Sequence, residues 1–264
     1  MQGHPMSLSD DQILELAQSL WQAEQTRQPA DLPSALHPEL DEADAYRIAA
    51  AKLQLRNRKS TGYKLGYTSA AMRLQMNISS PNYGVLTEDQ LVRGSELPYD
   101  ALIHPLVEPE IAIRLNEGLP PADMHDRDSV LAARLELMLA IEVCDTRYPT
   151  YQFKAVDNIA DNSSAARYVL GEPAPINPDT DLRALGVELW IDDELTDRGA
   201  GANALDDPLL AVAWLANRLG QENKCIQAGD VILTGGLTKG YLVQRGQRVA
   251  NKSAGLGAAA VRFV

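Results

Sequence analysis

Two carboxylates lie two residues apart inside an apolar run with the pattern of a β-strand, Val107–Ile113. Because side chains alternate between the two faces of a strand, Glu108 and Glu110 are predicted to project from the same face. A second apolar run, Leu137–Val143, is interrupted by Glu142. Carboxylates are rarely buried without a compensating charge. The two strands must therefore be half exposed, or a cation must lie close to their carboxylates.

Both readings remain open on spacing alone. If the three carboxylates converge, they form an all-oxygen site of the kind that Mg2+ or Mn2+ prefers. If they do not, Glu108 and Glu110 lie on the wet face of an edge strand, which is a common place for such pairs.

The composition is that of an ordinary globular protein, and it says nothing against a small anionic substrate. Of the 264 residues 45% are hydrophobic and 23% are charged, which is enough for a sizeable core. A net charge of −12 argues against nucleic acid or an anionic membrane surface as the main partner. With neither a long apolar run nor a basic-then-apolar start, the chain is expected to be cytoplasmic, with Cys144 and Cys225 as reduced thiols.

Two kinds of pattern divide the chain. Helices are predicted over residues 9–27, capped by Ser9 or Asp10, and 41–58, so residues 1–60 form an N-terminal helical segment. From residue 61 to 264, short apolar runs broken by Gly, Pro and Asn predict a mixed, mostly antiparallel α+β domain. Its predicted strands are Tyr63–Tyr67, Leu106–Leu115, Leu139–Cys144, Gly186–Ile191, Asp230–Thr234 and Ala258–Val264, and its predicted helices are Ser129–Met138, Asn162–Leu170 and Pro208–Leu219.

Lys64 is unusual because it interrupts an apolar, glycine-flanked strand. Desolvation there would lower its pKa and make it useful as an acid, a base or an anion clamp. The alternative is a lysine whose stem packs while its amine reaches water. Thr68 and Ser69, which follow, could cap a helix over residues 70–76.

Three loops could approach a ligand. In the polar run 158–164, Asp161 or Asn162 is a natural N-cap, and the free N–H groups of the helix start could face an anion. Gly235 and Gly236 permit close approach to backbone N–H groups, or simply form a tight turn. The G-x-G-x-x-A pattern at residues 199–204 follows no buried strand, which excludes a dinucleotide-binding fold.

Taken together, these motifs resemble those of a known family over about residues 40–264. They are Lys64-x-Gly66-x-Thr68-Ser69, His104-Pro105-x-Val107-Glu108-x-Glu110, Ile141-Glu142-x-x-Asp145-x-Arg147, Ala160-Asp161-Asn162, Gly229-Asp230-x-Ile232-Leu233-Thr234-Gly235 and Gly255-x-Gly257. In this order they resemble the hydratase/decarboxylase family of catechol meta-cleavage pathways, part of the fumarylacetoacetate hydrolase superfamily.

The resemblance implies an α+β fold, a mixed β-sheet roll with an N-terminal helical segment. It implies Mg2+ or Mn2+ held by Glu108, Glu110 and Glu142, with Lys64 as the active-site lysine. Substrate carboxylates are then expected near Thr68, Ser69, Asp161, Asn162, Ser163, Gly235 and Gly236. Arg147 is a candidate partner for the distal carboxylate, or else forms a structural salt bridge with Asp145 or Asp157.

Local features favour the decarboxylase branch, which converts 2-oxo-3-hexenedioate (4-oxalocrotonate) to 2-hydroxypenta-2,4-dienoate. The run Arg147-Tyr148-x-x-Tyr151-x-Phe153 and the Gly235-Gly236 turn resemble that branch, and Asn82 stands where hydratases carry an aspartate. The alternative is a hydratase that adds water to 2-hydroxypenta-2,4-dienoate. A non-catalytic subunit and an acylpyruvate-type hydrolase are further alternatives. The family also implies a homo-oligomer and an association with a companion hydratase.

Overall fold

The computed structural model describes residues 7–70, 73–74, 78–121, 124–176 and 180–264. Its helices are α1 (Asp10–Thr26), α2 (Pro33–Leu36), α3 (Glu42–Arg56), α4 (Arg127–Ala132), α5 (Ala155–Ala160) and α6 (Pro208–Gly220). Its strands are β1 (Ser60–Gly66), β2 (Asn82–Thr87), β3 (Glu96–Leu97), β4 (Leu106–Leu115), β5 (Leu135–Cys144), β6 (Ala165–Leu170), β7 (Ala174–Pro175), β8 (Gly186–Ile191), β9 (Glu194–Ala200), β10 (Val231–Leu233), β11 (Tyr241–Leu242), β12 (Arg248–Ser253) and β13 (Gly257–Phe263).

The N-terminal segment is helical, as the sequence predicts. Helix α1 begins with a capping box, in which the Ser9 hydroxyl accepts a hydrogen bond from the Gln12 N–H and the Gln12 side chain accepts one from the Ser9 N–H. Its buried stripe packs with α3 and with the segment that contains Tyr148 and Ile159. The helices therefore have their own apolar cluster, and that cluster includes residues from the second half of the chain.

Two sheets form the rest of the molecule and confirm the predicted mixed α+β roll. The larger has the strand order β2-β1-β10-β4-β5-β6, with β11 on β4 and β7 on β5. The smaller has the order β3-β13-β12-β8-β9. Most neighbours are antiparallel, while β1 with β10 and β13 with β3 are parallel. The main core lies between the sheets, since one face of β4 and β5 packs with residues of β8, β12 and β13.

Two predicted helices are partly or wholly wrong. The helix predicted over Ser129–Met138 ends at Ala132, and Leu135 begins β5 because its residues pair with β4 along ten positions. The segment predicted as a helix over Asn162–Leu170 is a 3-10 turn followed by β6, which pairs with β5. In both places strand pairing overrides local helix propensity. The helix predicted over residues 70–76 falls largely outside the described residues.

None of the helices in the described part of the chain is long and apolar enough to cross a membrane.

Candidate active site

Strands β4 and β5 carry the acidic residues of the site. They are antiparallel, and Glu108 is the cross-strand partner of Glu142. Glu110 lies two residues further along β4 and Cys144 two residues further along β5, so all four side chains belong to one face of the pair. Glu108, Glu142 and Cys144 each offer one ligand atom, and these three atoms lie within 4.8 Å of one another. The prediction that Glu108 and Glu110 project from the same face of one strand is thus confirmed.

Glu110 and Glu142 are buried with oxygens that lack hydrogen bonds. Glu110 is fully buried; its Oε2 accepts a hydrogen bond from the Gly235 N–H at 2.8 Å. Its Oε1 and the Oε2 of Glu142 have no hydrogen-bond partner among the residues that the structure describes. A buried acceptor without a partner costs about 1–3 kcal/mol. These lone pairs are therefore free to bind a ligand that comes from outside the chain.

The electrostatics of the cluster favour a cation. Burial and the neighbouring charge of Glu142 raise the pKa of Glu108 to about 7. Burial, Glu142 and Glu108 raise the pKa of Glu110 well above its usual range. Carboxylates that repel one another in a desolvated place are stabilised by a divalent cation. The carboxylate oxygens of the predicted ligands Glu108, Glu110 and Glu142 are of the kind that Mg2+ or Mn2+ prefers, and the group whose ligand atoms lie within 4.8 Å of one another contains Glu108 and Glu142 but not Glu110.

Lys64 extends from β1 into the same cluster. Its Nζ lies 3.1 Å from Oε1 of Glu142 and donates hydrogen bonds to the carbonyl oxygen and hydroxyl of Ser163 at 3.0 and 3.2 Å. The predicted lowering of its pKa is wrong for this arrangement. Burial acts to lower the pKa, but the acidic side chains around Lys64 outweigh it, so the pKa is raised. Lys64 is thus a fixed ammonium, which excludes the alternative in which its amine reaches water.

A turn of unusual conformation holds Ser163 against Lys64. Asn162, Ser163 and Ser164 all have positive φ, at 56°, 54° and 55°. The Asn162 side chain accepts a hydrogen bond from the Val85 N–H at 2.8 Å and donates one to the Val85 carbonyl at 2.9 Å. A Cβ on Gly84 would lie only 2.4 Å from the Asn162 carbonyl oxygen, so β2 needs a glycine there. The turn is fixed from both sides.

The Ser163 hydroxyl is oriented by two amides. It donates to Oδ1 of Asn82 at 3.0 Å while it accepts from Lys64. Asn82 also donates to Oδ1 of Asn158 at 2.9 Å, and Asn158 donates to the Ser164 hydroxyl at 3.0 Å. Asn82 therefore acts on the site through Ser163 and Asn158.

These groups surround a cavity of about 250 Å³, just below the usual range for small-molecule sites. Six of the predicted site residues line it: Lys64, Thr68, Ser69, Glu108, Ser163 and Gly236. It is also lined by residues that the sequence analysis did not assign to the site: Leu65, Gly66, Tyr67, Leu106, Cys144, Tyr151, Phe153, Asn158, Ser164 and Gly240. Cys144 could have been found, because it lies two residues from Glu142 in the same strand.

The remaining predicted residues are not among those that line the cavity: Glu110, Glu142, Arg147, Asp161, Asn162 and Gly235. Gly235, with φ of 107°, packs against Thr68 and directs its N–H to Glu110. Arg147 and Asp161 form a buried ion pair, with Nε 2.5 Å from Oδ1 of Asp161, and neither lines the cavity. Arg147 therefore forms a structural salt bridge, which was the alternative to binding the distal carboxylate. Its partner is Asp161 and not Asp145 or Asp157.

Asp161 and Asn162 do not cap an α-helix, because they lead into a short 3-10 turn, Asn162–Ser164, without a side-chain cap hydrogen bond, and then into β6. The expectation that helix N–H groups at this position face an anion is wrong for that reason.

The family follows from the sequence of residues 64–264. Residues 64–264 match the sequence model of the fumarylacetoacetate (FAA) hydrolase C-terminal domain. This chain belongs to the fumarylacetoacetate hydrolase family. Within this family, it is 36% identical over 262 residues to a 4-oxalocrotonate decarboxylase from Pseudomonas putida, covering 98% of this chain and 99% of that protein. It is 34% identical over 253 residues to a 2-keto-4-pentenoate hydratase from Paraburkholderia phymatum, covering 94% and 93%.

Solved structures of family members agree with this placement. The 4-oxalocrotonate decarboxylase from Pseudomonas putida G7, complexed with magnesium and adipate, superposes with a TM-score of 0.91 at 34% identity, covering 97% of this chain and 99% of that chain. A fumarylpyruvate hydrolase from Pseudomonas aeruginosa, in complex with Mn2+ and pyruvate, has a TM-score of 0.60 at 18% identity, covering 78% and 90%. The second likeness concerns the fold alone. The predicted resemblance is confirmed.

Proposed function

We propose that this chain is a divalent-metal-dependent lyase that decarboxylates 2-oxo-3-hexenedioate to 2-hydroxypenta-2,4-dienoate. The observation that carries the proposal is that Lys64 and Glu108 line one small cavity and that the buried Glu142 lies next to both of them. Similarity to 4-oxalocrotonate decarboxylases over nearly the whole chain supports this substrate. The relative that was solved with magnesium holds adipate, a six-carbon diacid of the same length.

The reaction needs no organic cofactor. Cleavage of the C5–C6 bond releases carbon dioxide, and the bonding electrons pass through the C3–C4 double bond to the oxygen on C2. One proton then converts that oxygen to the hydroxyl of the product. Glu108, Glu110 and Glu142 would hold Mg2+ or Mn2+, and the ion would supply Lewis-acid polarisation of the 2-oxo group.

Lys64 supplies a fixed positive charge beside the developing enolate. Its ammonium is held by the Ser163 carbonyl and hydroxyl and by Glu142, so it needs no reorganisation during the reaction. The protonated Nζ also donates a hydrogen bond to the oxygen on C2, and the proton that completes the hydroxyl comes from solvent. Thr68, Ser69 and Gly236 line the cavity and are proposed to orient the substrate.

The wall of the cavity favours loss of a carboxylate. Leu65, Leu106 and Phe153 are apolar, and Lys64 is the one cationic side chain among the described lining residues. A distal carboxylate in such surroundings loses hydration without gaining a cationic partner, whereas carbon dioxide is neutral. Arg147 cannot compensate it, because its guanidinium is bound to Asp161 and to the carbonyl of Ala165.

Replacement of one metal ligand tests the proposal. In Glu108→Gln, the rate of carbon dioxide release from 2-oxo-3-hexenedioate with Mg2+ is expected to fall by about tenfold to a hundredfold, because a charged ligand is lost. The protein should remain folded, since a neutral amide relieves repulsion with Glu142. The readouts are carbon dioxide production and thermal unfolding. Glu117→Gln, which changes an exposed carboxylate, is the matched control. Full metal-dependent activity in Glu108→Gln would contradict the assignment.

Hydration of 2-hydroxypenta-2,4-dienoate is the alternative, since hydratases also match most of the chain. The Asn82 amide cannot act as a base toward water, and it lies behind Ser163. Incubation with each substrate separates the two activities. Carbon dioxide from the six-carbon diacid supports the decarboxylase. Conversion of the five-carbon dienoate to 4-hydroxy-2-oxopentanoate without carbon dioxide identifies a hydratase.

We also propose a cytoplasmic homo-oligomer that can associate with a companion hydratase. The proposal rests on the family and on the product of the decarboxylation, which would be the substrate of such a hydratase. Light scattering of the purified protein, alone and mixed with such a hydratase, tests both associations. A monomer that gains no mass in the mixture would refute them.

A further inference from the structure

Cys144 is a sulfur donor inside the acidic cluster that the proposed decarboxylation does not use. It follows Glu142 by two residues on β5, so both side chains lie on the same face of the strand. Its Sγ lies within 4.8 Å of a carboxylate oxygen of Glu108 and of Glu142. The thiol is free, buried and part of the cavity wall.

The surroundings of Cys144 include a buried carboxylate oxygen without a partner and a nearby ammonium. Glu142 is 1% exposed, and its Oε2 has no hydrogen-bond partner within the described part of the chain. Lys64 Nζ lies 4.0 Å from the sulfur, so an ammonium is already present to offset the charge of a thiolate. Two carboxylates, one of which has an unpartnered buried oxygen, and a thiol thus lie close together.

The strand register places Cys144 and Glu110 on opposite sides of Glu142. Glu110 is opposite Ala140, whereas Cys144 is opposite Leu106. Glu110 is in addition held by the Gly235 N–H at 2.8 Å. A cation that is displaced along the strands toward Cys144 therefore moves away from Glu110.

We propose that the cluster offers two overlapping sites, and that thiophilic divalent cations such as Zn2+, Cd2+ and Co2+ bind through Cys144, Glu108 and Glu142. Hard cations prefer oxygen ligands and use the three carboxylates, whereas thiolate ligands select softer ions. On binding, the thiol proton is released to solvent and the sulfur becomes a thiolate ligand, with no change of oxidation state. The inference rests on the proposed function only in sharing Glu108 and Glu142, so a thiophilic ion excludes Mg2+ and inhibits the enzyme.

Co2+ reports directly on sulfur ligation, since a thiolate ligand adds a charge-transfer absorption that oxygen ligands lack. Metal-free wild type and Cys225→Ser are expected to develop this absorption on titration with Co2+, and Cys144→Ser is expected not to. Cys225 is the matched control because it is the second free thiol and lies outside the cavity lining. Equilibrium dialysis measures the bound Co2+ in each protein. Bound Co2+ without the thiolate absorption in wild type would overturn the inference.

Metal selectivity supplies a second measurement that does not depend on activity. In calorimetric titrations, Cys144→Ser should lower the affinity for Zn2+ by about tenfold or more and the affinity for Mg2+ by less. Glu110→Gln should lower the affinity for Mg2+ more than the affinity for Zn2+. Thermal unfolding identifies a variant that has lost its fold. Equal losses for both ions in both variants would overturn the two-site inference. Failure of the proposed decarboxylation would appear separately, as absence of carbon dioxide from Mg2+-loaded wild type that still shows the Co2+ absorption.

Discussion

Three consecutive residues with left-handed backbone form the wall beside Lys64. A left-handed conformation costs a non-glycine residue about 1–2 kcal/mol, and short polar side chains such as Asn bear it best. Here Asn162 is held by Val85, Ser163 by Lys64 and Asn82, and Ser164 by Asn158. Strain of this kind persists only where surrounding contacts over-determine it, which is characteristic of functional sites.

Asn162 is expected to be a positioning residue for Ser163. Asn162→Ala should lower the free energy of unfolding by about 2–3 kcal/mol, because the Val85 N–H loses its partner and alanine resists positive φ. Asn162→Gly should cost about 1 kcal/mol less than the alanine variant, since glycine tolerates that φ. Chemical denaturation measures both. Because Ser163 orients Lys64, kcat should fall more than KM changes.

The difference in the free energy of unfolding between Asn162→Gly and Asn162→Ala measures the backbone strain at this position. If Asn162→Gly and Asn162→Ala are equally destabilised, the turn stores no backbone strain. If both retain the wild-type kcat, Asn162 has only a structural role.

Among the strands and turns of the site, some features can be predicted from the sequence and others cannot. Alternation along β4 predicts that Glu108 and Glu110 share a face. The pairing of Glu108 with Glu142 depends on the register of two strands that a connection of nearly twenty residues separates, and no local pattern fixes it. The turn at Asn162 was mistaken for a helix start because Asn and Ser favour caps and left-handed turns alike.

The buried ion network of α3 is also a product of tertiary packing. Lys52 lies 2.9 Å from Oδ1 of Asp161, which also binds Arg147, and Arg56 binds Asp89. Neither the helical pattern of α3 nor the residues near Asp161 indicates this pairing. A sequence-based assignment of Asp161 and Arg147 to the substrate therefore could not separate a structural pair from a ligand-binding one.

Lys52 should make stability dependent on pH. Burial and the neighbouring Arg147 lower the pKa of Lys52 to about 8, against an unfolded value of 10.5. Between these values the unfolded state binds more protons, so stability rises with pH across that window and is flat below it. The free energy of unfolding of wild type relative to Lys52→Met should increase by about 1–2 kcal/mol from pH 8 to pH 10. Urea titrations at several pH values measure this difference.

Lys224→Met is the control, because Lys224 is an exposed lysine and its replacement leaves the buried ion network unchanged. A difference between wild type and Lys52→Met that stays constant from pH 8 to pH 10 would show that Lys52 keeps an ordinary pKa.

For the whole molecule, we propose residue 60 as the boundary between the helical segment and the sheet domain. Residues 57–60 are exposed, while Lys52 and Arg56 on one side reach Asp161 and Asp89 on the other. Mild trypsin treatment is expected to cut first at Arg58 or Lys59, and the two fragments should remain together in size-exclusion chromatography. A first cut inside the sheet domain would place the boundary elsewhere.

The turn beside Lys64 also has a consequence for the order of folding. Asp161, Asn162 and Ser163 bind Lys52, Val85 and Lys64, contacts that span 109, 77 and 99 residues of chain. Contacts of such separation require closure of long loops and are slow to form. Catalytic competence is therefore expected to return late during refolding, after the far-ultraviolet circular dichroism signal has recovered, because this short segment is a meeting point of three remote parts of the polypeptide.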